Sequence, residues 1–91
     1  MWKLKSTTQF KKDFKRILNQ PEKLKALDIV LSSLASTGTV PAEYLPHPLS
    51  GNWTHHMECH IKGDFLLIWY DEEVGIIKLV RLGSHSELFS K

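Results

Sequence analysis

Residues 54–70 read THHMECHIKGDFLLIWY, and here the apolar period of the chain settles at two. Trp53, His55, Met57, Cys59 and Ile61 point one way, while Thr54, His56, Glu58, His60 and Lys62 point the other, as successive side chains do on a strand. Gly63-Asp64 is a tight-turn dipeptide leading into FLLIWY, which is apolar on both faces and reads as a central strand. Glu72 to Gly75 turns the chain again, and IIKLVRLG (76–83) is the next strand. The C-terminal half is therefore an antiparallel meander. Its tail, SHSELFSK (84–91), is polar except for Leu88 and Phe89.

Upstream the pattern changes. MWKLKS sets Trp2 and Leu4 against Lys3 and Lys5, a short strand with one buried face. Thr7 or Thr8 can cap a helix through Asn19, with Phe10, Phe14, Ile17 and Leu18 as its apolar stripe. Pro21 suits a first helical position, and Leu24, Leu27, Leu31 and Leu34 carry a second helix to Thr37, where Gly38 ends it. Two helices joined this tightly are expected to pack as a hairpin. Residues 38–52 form a structured loop, rich in proline and anchored by Val40, Tyr44, Leu45 and Leu49. The order is β-α-α-β-β-β, an α+β fold with a helix hairpin packed on an antiparallel sheet. Residues 1–91 are expected to form one domain, with the second sheet face free for chemistry or a partner.

The composition, 42% apolar and 24% charged, is that of an ordinary globular protein. No apolar run approaches the roughly 20 residues that span a bilayer, and the first ten residues lack the apolar block of a signal peptide. The single cysteine excludes an intramolecular disulfide and a cysteine-based zinc framework, and a cytoplasmic setting is expected. Charge is unevenly placed. Residues 1–25 hold eight Lys/Arg against Asp13 and Glu22, a net of +6, and the rest holds four against eight acids, a net of −4. Composition alone favours a solvated helix face over an anionic partner.

The histidines allow several chemistries. His56, Glu58 and His60 alternate on one strand face about 6.6–7 Å apart, and three donors in a straight row converge poorly on an ion. The spacing is not the HExxH of a zinc helix, so no metal site is expected. Cys59 lies in the apolar phase and reads as small core filler. Acid–base chemistry fits better. Glu58 and His60 lie opposite the core phase, a carboxylate there can hold an imidazole, and His47 and His85 sit just outside the meander. With Arg81 near the end of the last strand and a basic helix, they could form a phosphodiester-cleaving ensemble; bystander surface histidines are the plainer alternative.

HPLSGNW (47–53), ECHIKGDFLLIWY (58–70) and VRLGSHSELF (80–89), in that order, resemble the YafQ branch of the RelE/ParE toxin superfamily. The resemblance implies the toxin of a type II toxin–antitoxin system. Such a toxin is a ribosome-dependent endoribonuclease that cuts mRNA in the A site with the RNA's own 2′-OH as nucleophile, leaving a 2′,3′-cyclic phosphate and a 5′-OH without metal or other cofactor. It implies His47, Glu58, His60, Asp64, Arg81 and His85 as the catalytic set. His47 or His60 would be the base and His85 the acid, with Arg81 on the phosphate oxygens and Glu58 and Asp64 orienting imidazoles. Phe65 or Phe89 would stack on a base, and Lys11, Lys12, Lys15 and Arg16 would meet rRNA. The implied partners are a DinJ-like antitoxin, the 70S ribosome with mRNA, and operator DNA reached through the antitoxin; no membrane is involved. Glu58 stands where aspartate is common and Phe65 where tryptophan is. His55 and His56 fall outside the pattern, His55 reading as partly buried filler and His56 as a phosphate or rRNA contact. Two rivals keep the fold: a ParE-like gyrase inhibitor, which needs no histidine set, and a non-catalytic antitoxin-binding module.

Overall fold

The computed structural model describes residues 1–89; Ser90 and Lys91, the end of the polar tail and of the expected domain, lie outside the described residues. The elements are β1 (Lys3–Ser6), α1 (Thr8–Lys15), α2 (Pro21–Thr37), β2 (His47–Pro48), β3 (Met57–Lys62), β4 (Phe65–Glu73), β5 (Ile76–Gly83) and α3 (His85–Phe89). The strands form one sheet in the order β1-β5-β4-β3-β2. The meander is antiparallel as expected, but β1 pairs with β5 in parallel, so the sheet is mixed. The chain leaves β1, runs through both helices to the far edge, and meanders back until β5 lies beside β1 in the same direction.

Thr7 caps α1, its hydroxyl accepting the Phe10 N–H at 2.9 Å. The helix stops at Lys15, four residues before the expected end. Pro21 holds Gln20 extended (φ −121°, ψ 82°), so the chain must unwind before it. It does so through tightened bonds, Ile17 N–H to Phe14 O at 3.1 Å and Gln20 N–H to Ile17 O at 2.9 Å. Ile17 stays buried, whereas Leu18, expected on the apolar stripe, is 58% exposed. Gly38 closes α2 at φ 74°, and a Cβ there would lie 2.5 Å from Cε2 of Trp2. Both the turn and the indole therefore require glycine.

Leu27, Val30 and Leu34 of α2 bury against Cys59, Leu67 and Ile77 of the sheet. Each large aliphatic side chain buried in this way stabilises the fold by about 2 kcal/mol. The helices rest on the sheet separately, α1 on β5 and α2 on β3 and β1. Both contribute to one core, and a groove of about 440 Å³ is lined by Phe10, Phe14, Leu31 and Leu79 with Lys11 and Lys15 beside it.

The second sheet face was expected to be free, but it is covered. Leu66, Ile68 and Leu88 are buried there, with Leu49, Trp53 and Val80 packed against them. The 49–53 loop and α3 cover this face, which also explains why Glu58, on the polar phase of β3, is only 2% exposed. The period-two reading begins too early: Gly51–Trp53 is a 3-10 turn, and β3 starts at Met57. His55 sits at φ 74° and is exposed, so it is not core filler.

Candidate functional site

β2 is two residues long, yet it decides the site. Its register sets His47 directly opposite Glu58 on β3, where paired antiparallel residues present their side chains to the same face. His60 follows two residues on, in the same phase. Asp64 stands in the turn before β4, and His85 opens α3. Ser84 and Glu87 fix that helix start. The Ser84 N–H donates to Glu87 Oε1 at 2.8 Å and the Glu87 N–H to Ser84 Oγ at 3.2 Å, a reciprocal capping box.

Three imidazoles therefore stand in a row. The His47 and His60 ring centroids are 6.0 Å apart, and those of His60 and His85 are also 6.0 Å apart. The outer rings are tethered. His47 Nδ1 is 2.9 Å from the Leu45 carbonyl, which can only accept, so Nδ1 carries a proton. Its Nε2 is 3.0 Å from Glu58 Oε1, and that contact needs a further proton shared between ring and carboxyl. His85 Nδ1 donates to Asp64 Oδ1 at 2.5 Å, and the same oxygen accepts the His85 backbone N–H at 3.2 Å. Asp64 thereby turns Nε2 of His85 outward. The hydrogen bonds from His85, its side chain first and its backbone N–H second, hold the Asp64 carboxyl below its usual range. His60 has no hydrogen-bond partner among the described residues and is the untethered ring of the three.

Glu58 is the polar anomaly. Its Oε2 is buried with no partner in a side chain almost withdrawn from water. One ligand atom each from His47, Glu58 and His60 lie within 4.8 Å of one another, a set that could hold a metal ion. The sequence reading placed His56 in that group and missed the cross-strand partner, because β2 is too short to leave a periodic signal. Cys59, beside Glu58, behaves as expected: burial and the neighbouring Glu58 charge push its thiol up to about 12, so it is no nucleophile.

Two expected site residues are engaged elsewhere. Arg81 binds Asp13 of α1, Nε to Oδ2 at 2.8 Å and a terminal nitrogen to Oδ1 at 3.3 Å. Burial alone would raise the Asp13 carboxyl; hydrogen bonds from Arg81, the Leu82 N–H and Gln9 overcome it and hold the carboxyl below the usual range. Phe65 is 7% exposed in the helix-side core, and Lys23 Nζ covers its ring at 4.7 Å from the centroid. It is therefore a covered ring and offers no open stacking platform. Phe89, 37% exposed, remains beside His85 with ring centroids 5.9 Å apart. Lys11, Lys12 and Lys15 are exposed on α1 and Arg16 is exposed at its C-terminal cap, from where it reaches Glu87 of α3 at 3.6 Å. Lys23 and Lys62, which the sequence reading passed over, line a pocket with Asp64, Phe65, Ser84 and Glu87. No local signal marks Lys23, since it arrives from another helix.

A pair of helices on a five-stranded sheet, with imidazoles gathered at the β2–β3–α3 end, is the architecture of a small bacterial toxin. Residues 2–90 match the family described as bacterial toxin of type II toxin–antitoxin system, YafQ. The chain is 30% identical over 82 residues to the mRNA interferase toxin YafQ of Escherichia coli K12, covering 89% of this chain and 88% of that one. Among solved structures it resembles a metal-bound toxin from Helicobacter pylori, with a TM-score of 0.84, 38% identity, and coverage of 98% of this chain and 100% of the other. It also resembles the toxin in the E. coli DinJ–YafQ complex, with a TM-score of 0.84, 25% identity, and coverage of 99% and 100%. The chain belongs to the YafQ family of type II toxin–antitoxin toxins.

Proposed function

We propose that this chain is an mRNA interferase, a metal-independent endoribonuclease that cuts message in the A site of the 70S ribosome and stops translation. The observation that carries the reading is the row of three imidazoles, the outer two tethered and the central one free. In-line transfer needs a base for the 2′-OH and an acid for the 5′-oxygen. His60 takes the 2′-OH proton as O2′ bonds to the adjacent phosphorus. The P–O5′ bond breaks, and His85 Nε2 delivers a proton to O5′. The products are a 2′,3′-cyclic phosphate and a 5′-OH. His47 and Glu58, locked together at 3.0 Å, position the free imidazole and place charge beside it. Arg81 would reach the phosphate only by leaving Asp13, so Lys62 and Lys23 are nearer at hand to offset the charge building on its oxygens. The ion pair of Lys62 with Glu22 is exposed and easily released.

A DinJ-like antitoxin is the proposed partner, as in the solved E. coli complexes. The groove between α1 and α2, apolar inside and flanked by Lys11 and Lys15, fits an acidic amphipathic segment. Lys12 and Arg16 extend the same basic helix toward rRNA, operator DNA would be met through the antitoxin, and the setting is the cytoplasm. Mapping 5′ ends of a defined message on purified ribosomes tests the activity. A-site cuts should fall about 10²- to 10⁴-fold in His85→Ala. An intact message on ribosomes occupied by the wild-type protein would sink the reading.

The convergence of His47, Glu58 and His60 favours a second reading, in which they hold a divalent transition metal ion. Such an ion would supply Lewis-acid polarisation of the phosphate. Cleavage that is unchanged by a chelator at fixed free magnesium supports the metal-free reading. Loss of cleavage that is restored by added zinc or copper supports the second.

A further inference from the structure

A second run of rings leads away from the imidazoles. Phe89 lies 5.9 Å from His85 and 5.8 Å from Trp53; Trp53 lies 5.2 Å from His56, and His56 lies 5.0 Å from Tyr70. These rings meet at angles of 39° to 89°, tilted or edge toward face, and none lies parallel to its neighbour. Trp53, His56 and Tyr70 are half-buried. The Trp53 indole N–H, His56 Nε2 and the Tyr70 hydroxyl have no hydrogen-bond partner among the described residues. Each is therefore an aromatic ring partly open to solvent with an unpaired polar atom at its edge.

The backbone beneath them is tightly held. His55 takes a left-handed conformation, φ 74°, which a side chain other than glycine adopts at a cost. The His56 N–H closes on the Trp53 carbonyl at 3.0 Å, and Thr54 Oγ1 donates to the Gly51 carbonyl at 2.7 Å. His56 Nδ1 meets the Thr54 carbonyl at 3.1 Å, which fixes the ring edge-on to Trp53 and leaves Nε2 outward.

We propose that Trp53, His56 and Tyr70 form a platform that stacks and reads the base of the nucleotide 3′ of the cut. The inference rests on the ribonuclease reading, and it deepens that reading by adding base selection. The strip joins the site through Phe89 beside His85, and His85 serves the leaving 5′-oxygen, which belongs to the 3′ nucleotide. An unstacked RNA base is recognised by an aromatic face together with hydrogen bonds to its edge, the pairing this strip presents. The stacking role expected of Phe65 or Phe89 thus extends to rings that are half-buried, whereas Phe65 is buried.

The test is cleavage on ribosomes programmed with messages that vary only the base 3′ or only the base 5′ of the cut. Trp53→Leu and Tyr70→Leu should lower kcat/KM about 5- to 100-fold. They should flatten discrimination at the 3′ base and leave the 5′ preference as in the wild type, while Trp53→Phe restores most of the rate. Thermal melts accompany each variant. The platform is refuted if folded Trp53→Leu and Tyr70→Leu proteins keep the wild-type 3′ preference, or if rates fall equally on all messages in step with a lower melting temperature. A wild-type protein that cuts nothing removes the ribonuclease reading and this one together; wild-type cutting that is indifferent to the variants removes the platform alone.

Discussion

Glu58 holds one carboxyl oxygen on His47 and buries the other without a partner. A buried oxygen left unsatisfied costs about 1–3 kcal/mol, and more if it is charged. The fold tolerates that loss at a candidate site position, which is where such strain is expected to collect. Glu58→Gln keeps the size and removes the charge. Its amide can donate to His47 Nε2 once that nitrogen is unprotonated. The variant should be more stable by about 1 kcal/mol, a melting temperature roughly 4–8 °C higher for a chain this small, yet cleave mRNA at least about tenfold more slowly. Calorimetry and 5′-end mapping on one preparation check both halves, and a variant that is less stable and fully active would contradict the account. Cys59 next to it gives a sharper negative. Its thiol, pushed up to about 12, should resist a disulfide reagent at pH 8 in the native protein and react fully in denaturant.

Among the elements, α1 and β5 depend on one carboxylate. β1 ends at Ser6, paired with Leu79, so the edge of β5 beyond that point lacks a strand neighbour, and Asp13 fills the gap by accepting the Leu82 N–H at 2.9 Å as well as Arg81. Because the Asp13 carboxyl is held below its ordinary range, its contribution to stability is complete above the unfolded value of about 3.9 and is lost as pH falls through the folded one. Breaking a buried pair costs about 3–5 kcal/mol, and a partly exposed Arg81 places Asp13→Asn at or below the lower end. Urea unfolding at pH 7 and pH 3 should show a large difference between wild type and Asp13→Asn that narrows in acid. A gap that is constant with pH would mean that Asp13 acts through packing alone. Asp13 also marks a limit of sequence reading, since an aspartate among lysines on a helix looks solvated until β5 arrives beside it. The regular elements were legible because α2 and the meander repeat their period over many residues. The pairing of β2 was not, because two residues carry no period. α3 could have been read from the Ser84–Glu87 capping box, but its five residues are too few for an amphipathic pattern. His47, Glu58, His60, Asp64 and His85 were named together from the family resemblance that three ordered segments carry. Which imidazole each carboxylate would hold depended on the β2–β3 register and on the turn at Asp64.

For the whole molecule, the uneven charge has a spatial counterpart. The basic first 25 residues, net +6, form the edge strand β1, α1 and the start of α2, and the acids lie mostly in the rest of the chain, net −4. Lys11 and Lys15 border two surfaces at once, because they flank the apolar groove and share an exposed basic face with Lys12 and the C-cap Arg16. A polyanionic ribosome and an acidic antitoxin segment should therefore exclude one another, through shared cations and without any change in the imidazole row. The two should still differ in kind. Ribosome binding releases counterions, so log affinity should fall steeply with log salt, and Lys11→Gln with Lys12→Gln should reduce the slope by about 1–2. Antitoxin binding adds apolar burial in the groove, so it should fall less steeply and be more sensitive to Phe14→Ser, a change that leaves the ribosomal salt slope intact. Titrating ribosomes and antitoxin separately across a salt series, for both variants, resolves the matter. If Phe14→Ser weakens both partners equally, or if the lysine pair alters neither slope, the shared-edge account fails and the two partners must use separate surfaces.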